Sequence, residues 1–165
     1  MHVRDLHSDD LGVVHEINQG EVPAVGSVTA DALARIDDQS LISLVAVDPA
    51  SGEIGGFCMV LGPDADYGSG NFLWFRERYE SFAYLDRVAI SPTFQRRGIG
   101  RALYAEVERL VVERMPHATE FCLEVNVRPR NDTSLAFHDA LGFVEVAQRE
   151  TDYGARVSMM TKPLS

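Results

Sequence analysis

Apolar positions along this chain change period several times, and each change predicts an element. Val3 to Leu6 reads as a short first strand. Val13, Val14 and Ile17 recur at helical spacing, so Ser8 or Asp9 is expected to cap a helix ending near Gly20. Thr29 is placed to cap a second short helix through Leu33 and Ile36. Leu41 to Val47 and Ile54 to Leu61 are apolar strands, joined by the turn Asp48-Pro49-Ala50-Ser51-Gly52 into a hairpin. Gly62 to Glu80 is a long connection that starts with Gly, Pro and Asp and ends with Phe72, Trp74, Phe75 and Tyr79. A connection of that length serves either as a binding loop or as a plug whose aromatics close the core edge, and both readings stay open here.

Phe82 to Ile90 is the next strand, closed by Ser91-Pro92. Ile99, Leu103, Val107, Leu110 and Val111 then define an amphipathic helix to about Arg114, stopped by Pro116. Phe121 to Val127 is a strand. Asn131 or Asp132 caps a helix through Leu135, Ala136, Phe137, Ala140 and Leu141, which Gly142 ends. Val144 to Thr151 and Ala155 to Lys162 close the chain as an antiparallel pair around Asp152-Tyr153-Gly154. The order β-α-α-β-β-β-α-β-α-β-β predicts an α/β fold. Its mixed sheet is mostly antiparallel, with one parallel pair where a strand–helix–strand unit closes. At 165 residues the chain is expected to form one domain, 1-165, that buries a core without metal or disulfide staples.

Charge narrows the function classes. Twenty-five acidic residues against fifteen basic ones give a net charge of −10. Phosphate backbones are bound mainly through Lys and Arg, so nucleic acid is a poor partner, as is an anionic membrane surface. No stretch approaches the ~20 apolar residues of a membrane span. Asp5, Asp9, Asp10 and Glu16 leave no apolar signal core near the start, so a cytoplasmic protein is expected. Cys58 and Cys122 lie in apolar strand runs and predict no disulfide framework. His2, His7, His15, His117 and His138 lack metal-ligand spacing, so no metal is expected.

The most informative segment is Gln95-Arg96-Arg97-Gly98-Ile99-Gly100, between a strand and a helix start. Glycines there let the backbone turn tightly and leave N–H groups open beside the positive end of a helix dipole. Arg96, Arg97 and Arg101 add positive charge to an acidic chain. A phosphate-bearing ligand is the natural reading. A dinucleotide fingerprint would need a third glycine where Leu103 stands, and Gly-Lys-Ser/Thr of a nucleotide P-loop is absent. A helix that merely starts with glycines is the bland alternative, and the flanking strand and arginines weaken it.

The run from Leu85 through Arg96-Arg97-Gly98-Ile99-Gly100 to Leu103 resembles the acyl-CoA signature Q/R-x-x-G-x-G/A of the GNAT superfamily of N-acyltransferases, in a bacterial branch. Asn131, Ser134, Ala136, Phe137, His138, Leu141, Gly142 and Phe143 resemble its asparagine-to-Gly-Phe helix. The resemblance covers nearly the whole chain. It implies a single GNAT-type domain with a splayed parallel central pair, helices on both faces and an acetyl-CoA site. Backbone amides of Gln95 to Gly100, with Arg101, would hold the pyrophosphate. Val88, Ala89 and Ile90 would pair with the pantetheine arm in the gap between the splayed strands. Asn131, Ser134, Phe137 and His138 would lie on the cofactor side, Asn131 also capping its helix.

The implied reaction is acetylation of a small-molecule or peptide amine by direct attack in a ternary complex, in a monomer or homodimer. The slot four residues before Gly142 is commonly a tyrosine acid in this family and holds His138 here, a departure. His138 is therefore the candidate acid, with Tyr84 or Tyr79 as substitutes. Asp86 is the first candidate base and Glu124 the second. Either could instead be a structural ion pair, for example with Arg87 or Arg128. Asn18 and Glu21, between the first two helices, and Asn71, Trp74 and Arg78 in the aromatic connection are the candidate acceptor contacts. A catalytically weak acyl-CoA-binding sensor is the alternative.

Overall fold

The structure is a computed structural model and describes residues 1–164. The chain forms two compact units. One comprises Met1–Leu61 with Leu85–Pro116, the other Gly62–Tyr84 with the residues from His117 onward.

In the first unit, β1 (His2–Asp5) pairs antiparallel with β2 (Ile42–Val47), and β2 with β3 (Ile54–Leu61). Leu44, Val45, Ala46, Phe57, Cys58, Met59 and Val60 are buried almost completely, so this hairpin is core on both faces. That explains its near-continuous apolar sequence. The helices are α1 (Leu11–Gly20), α2 (Ala30–Gln39) and α4 (Ile99–Arg114); α3 belongs to the second unit. Helix α4 packs on the hairpin and buries Ile99, Leu103, Val107, Leu110 and Val111, the stripe that the helical spacing predicted, and Tyr104 beside it. Thr29 caps α2, its Oγ1 accepting from the Ala32 N–H at 3.1 Å.

The start of α1 differs from expectation. Ser8–Asp10 is a 3₁₀ turn, and neither Ser8 nor Asp9 caps the helix. Asp10 stands at the N-cap of α1 without a side-chain capping bond; its carboxylate turns back instead, accepting the His7 N–H at 2.8 Å and pairing with Arg4 at 2.8 Å. The Arg4 hydrogen bond, chiefly, holds the Asp10 carboxyl below its ordinary pKa. The registry between β1 and the turn therefore decides which acid is used.

Strand β4 (Phe82–Ile90) carries the chain between the units, with Leu85–Ile90 in the first. Two glycines of β3 make room inside that unit. A Cβ on Gly55 would stand 2.7 Å from Cγ of Phe94, and one on Gly56 3.1 Å from the Ala89 carbonyl. The first approach is closer than a side chain permits unless the Phe94 ring moves, and the second is tight.

The second unit holds α3 (Gly70–Arg78), β5 (Glu120–Arg128), α5 (Asp132–Ala140), β6 (Val144–Glu150) and β7 (Arg156–Pro163). Phe82, Ala83 and Tyr84 pair parallel with Glu120, Phe121 and Cys122, giving the expected parallel pair. β5 and β6 both pair antiparallel with β7. Among the described residues the seven strands follow the order β1-β2-β3-β4-β5-β7-β6, the mixed, mostly antiparallel sheet of an α/β fold. No helix among them is long and apolar enough to cross a membrane.

The main correction is α3. The connection from Gly62 to Glu80 is not all loop, because Gly70–Arg78 is helical. Its sequence starts Gly-Asn and carries aromatics at three of the next four positions, which is poor helix composition. Packing overrides propensity. Phe72 and Phe75 are fully buried, and the Phe72 ring meets those of Tyr67, Phe82 and Tyr84 at 5.5–5.9 Å. These two aromatics are core plugs.

Candidate functional site

The Gln95–Gly100 loop is built inside the first unit. β4 ends at Ile90, Pro92–Phe94 makes a 3₁₀ turn, and Gln95 to Gly98 lead into α4. Arg96 has φ +64° and Gly98 φ +77°. A non-glycine residue in the left-handed region costs about 1 kcal/mol or more, so the surrounding fold imposes this conformation. The first intrahelical bond runs from the Ala102 N–H to the Gly98 carbonyl at 3.1 Å. The N–H groups of Gly98, Ile99, Gly100 and Arg101 thus lie ahead of any intrahelical acceptor, at the positive end of a 16-residue helix.

The open side of Gly98 has no heavy atom within 4 Å of where a Cβ would stand. Gln95, Arg96, Arg97, Gly98 and Arg101 are exposed, while Ile99 and Gly100 are buried and anchor the turn. Among the described residues none of the three arginines has a carboxylate partner; Arg97 stacks on Phe94 at 5.0 Å. This is a curved run of backbone donors with unspent cations beside it. The chemistry suits a diphosphate.

A Gly98→Val substitution tests the loop. A β-branched side chain is strained at φ +77°, at a cost of about 1–2 kcal/mol, so affinity for a diphosphate-bearing ligand such as CoA is expected to fall by roughly tenfold or more. Titration calorimetry with CoA checks this, and unchanged affinity sinks the assignment.

Beside the loop, the Gln95 amide donates to the Ile90 carbonyl at 3.3 Å and to Glu21 at 3.4 Å. Burial pushes the Glu21 carboxyl above its ordinary pKa. Val88 and Ile90 are half-buried along β4, with Ala89 buried between them.

Asp86 and Arg87 lock into each other. Arg87 Nε donates to Asp86 at 2.8 Å, and both side chains are more than nine-tenths buried. The same guanidinium donates to Asn18 Oδ1 at 3.0 Å and to the Gly26 carbonyl at 3.2 Å. Asn18 is fully buried and donates in turn to Gly26 and Gln19. The Asn18 side chain is taken up by these bonds. It ties β4 to the segment between α1 and α2.

The second unit assembles a different cluster. Glu124 on β5 is half-buried and accepts the Tyr84 hydroxyl at 2.8 and 2.9 Å on its two oxygens. The Asn71 amide, from α3, donates to Glu124 at 3.1 Å and to the Tyr153 hydroxyl at 3.2 Å. Asn71 Oδ1 accepts from Arg149 on β6. Tyr84, Asn71 and Glu124 were each legible in the sequence, but not as neighbours. Tyr153 and Arg149 were not singled out as site residues, since a turn tyrosine and an edge-strand arginine carry no local signal. Tyr153 is exposed over most of its ring. Its phenol end is nonetheless partly desolvated, and this burial, more than the nearby Glu124 charge, raises its pKa.

Trp74 and Arg78 face each other along α3, the guanidinium 3.9 Å from the indole centroid. Arg78 also donates to the Trp74 carbonyl at 3.0 Å. Asn131 caps α5, accepting the Ser134 N–H at 3.1 Å. His138 is buried, its ring edge-on to Phe137 and Phe143, with Nδ1 2.7 Å from the Ser134 carbonyl. Only an Nδ1–H can bond a carbonyl oxygen, so that proton is committed to Ser134.

Burial lowers the His138 pKa, against the Ser134 hydrogen bond. The unfolded chain, with an ordinary histidine pKa near ~6.5, therefore binds more protons just below that value than the folded protein does. Stability is fully present above pH ~6.5 and declines as pH falls through the window beneath it. Urea midpoints measured at about pH 7.5 and about pH 5.5 are expected to drop less in His138→Gln than in the parent. An equal drop in both removes His138 from the account.

The thiols are chemically quiet: burial pushes Cys58 up to about 12, and Cys122 is raised by the same cause.

Three comparisons bear on this geometry. Residues 13–143 match the family model described as Acetyltransferase (GNAT) family. A search of curated proteins finds no sequence match. Solved structures share the fold at low identity. The ribosomal-protein-S18-alanine N-acetyltransferase from Escherichia coli is 20% identical with TM-score 0.74, covering 99% of this chain and 94% of that one. Ard1 from Thermoplasma volcanium is 20% identical with TM-score 0.78, covering 99% and 97%. YncA from Salmonella typhimurium, solved with its cofactor acetyl-CoA, is 20% identical with TM-score 0.73, covering 100% and 94%.

Proposed function

The chain belongs to the acetyltransferase (GNAT) family, and from that premise we propose that it acetylates a primary amine of a small molecule or peptide with acetyl-CoA, by direct attack in a ternary complex. The observation that carries the reading is the Gln95–Arg101 loop. It offers helix-first-turn N–H groups and exposed arginines that pair with no carboxylate among the described residues, on a chain of net charge −10. In that role the backbone amides from Gln95 to Gly100 hold the CoA diphosphate, Arg96, Arg97 and Arg101 neutralise it, and Val88 to Ile90 offer backbone partners to the pantetheine arm. Acetyl-CoA when bound supplies an acetyl group activated as a thioester.

Residues of the chain manage the protons. An alkylammonium has a pKa near ~10 and must lose a proton before it attacks. Glu124 is the group we assign to that work, as a carboxylate fixed by Tyr84 and Asn71 on a strand. General base catalysis of this kind contributes about 10²–10⁴-fold. Asp86 is committed to Arg87 and serves instead to position the neighbouring loop. The amine nitrogen forms the new amide bond, the carbon–sulfur bond breaks, and the thiolate takes up a proton. Tyr153 is the proton donor we assign: its hydroxyl sits on the Asn71 amide that also meets Glu124, and a phenol, with an ordinary pKa of ~10, carries its proton at neutral pH. His138, neutral and bonded through Nδ1 to Ser134, positions α5.

The test incubates the intact protein with acetyl-CoA and pools of amino acids, polyamines, aminoglycosides and short peptides, reading acetylated product by mass. A product in one pool is expected. No product from any pool, together with no binding of acetyl-CoA in the same samples, overturns the reading.

A further inference from the structure

The second unit holds an arginine that pairs with no acid among the described residues. Arg149 is half-buried and its guanidinium bonds the Asn71 amide oxygen. It also lies against the start of α3, where a Cβ on Gly70 would stand 3.0 Å from Arg149 Nη2. A cation at the N-terminus of a helix is disfavoured by the dipole, so fold stability alone does not account for it. That terminus has no acidic residue in its first turn, and its N-cap Ser69 makes no side-chain capping bond.

The acids of β6 are engaged elsewhere. Glu150 pairs with Arg128 and Arg156, and Glu145 accepts from Ser158 and Gln148. Among the described residues Arg149 has no carboxylate partner.

On the other side of Asn71 stands Glu124. The one amide therefore accepts from a cation and donates to an anion. The two charges are bridged by one amide group and a hydrogen bond at each of its ends, and an amide's O and N are about 2.2 Å from each other. In an α-amino acid the ammonium nitrogen and the carboxyl carbon are about 2.5 Å apart, nearly the same span. An α-amino acid lying alongside Asn71 thus places its ammonium at Glu124 and its carboxylate at Arg149.

We propose that the acceptor is a free α-amino acid, and that Arg149 selects it by binding its carboxylate. The inference rests on the function proposed above and names the acceptor class for Glu124. The reaction balances as an α-ammonium plus the thioester giving the N-acetyl amino acid, the free thiol and one released proton. Arg149 takes no part in bond making. A guanidinium forms paired, charge-assisted bonds with a carboxylate. Loss of that interaction is worth roughly 10–100-fold in kcat/KM.

The experiment compares each α-amino acid with its C-terminal amide and its decarboxylated amine, by kcat/KM and by product mass. It uses the parent chain, Arg149→Gln and Arg149→Lys. The parent is expected to favour the acid by at least tenfold. Arg149→Gln brings that ratio toward one, chiefly through KM, and Arg149→Lys restores part of it. A parent that turns over the decarboxylated amine or the amide as well as the acid overturns this inference and leaves the proposed function standing. A preference that survives in Arg149→Gln overturns it too. Absence of any acetylated product, acid or amine, overturns the proposed function and this inference together.

Discussion

Replacing Glu124 with glutamine is expected to lower kcat/KM for acetyl transfer by about 10²–10⁴-fold, the usual worth of a general base. The substitution keeps shape and keeps an oxygen for the Tyr84 hydroxyl and the Asn71 amide, which now meet at this side chain within 2.8–3.1 Å. What it removes is the capacity to take a proton. The thermal midpoint and the affinity for CoA are therefore expected to stay close to the parent, with the loss confined to turnover. Steady-state kinetics beside a CoA titration checks both halves. A variant within threefold of parental kcat/KM removes Glu124 from the mechanism.

Asp86 is expected to behave in the opposite way. Removing one member of a buried ion pair leaves the other charge uncompensated and typically costs about 3–5 kcal/mol. Asp86→Ala strands the Arg87 guanidinium, which is 8% exposed and also holds Asn18 and the Gly26 carbonyl. For a chain of this size the thermal midpoint should fall by roughly 10 °C. The double variant Asp86→Ala/Arg87→Met removes the stranded charge and is expected to recover part of the loss. At a temperature where Asp86→Ala is folded, turnover per folded molecule should remain near the parent. Calorimetry and kinetics on the same preparation separate the two roles. A stable Asp86→Ala with abolished turnover would transfer the base from Glu124 to Asp86.

The contrast between these acids shows where sequence reasoning stops. Both sit on strands, both have an arginine within a few residues, and both were candidate bases. Period-two alternation says that Asp86 and Tyr84 share a face of β4. It does not say that an adjacent Arg87 will turn back onto Asp86, nor that Tyr84 will reach a carboxylate on β5 forty residues later. Those outcomes depend on which side chains the packing desolvates. Helix α3 failed to declare itself for a related reason: Phe72 and Phe75 stabilise it only through the rings they meet in the folded unit. Tyr153 and Arg149 were passed over because both meet Asn71, which α3 contributes, an element the pattern did not predict.

The sequence by itself determined the order of strands and long helices, through apolar periods of two and 3.6 and through caps such as Thr29 and Asn131. It also determined the tight, arginine-rich loop ahead of α4, because Gly98, Gly100 and the arginines act locally, through backbone geometry and charge that neighbours in sequence suffice to define. The tertiary structure alone decided that Asp86 is locked to Arg87 and that Glu124 meets Tyr84 and Asn71. It also decided that Asn18 is internal and that Asn71 joins an arginine to a glutamate. Such roles arise from desolvation and from hydrogen bonds between residues far apart in the chain, and no local pattern encodes either.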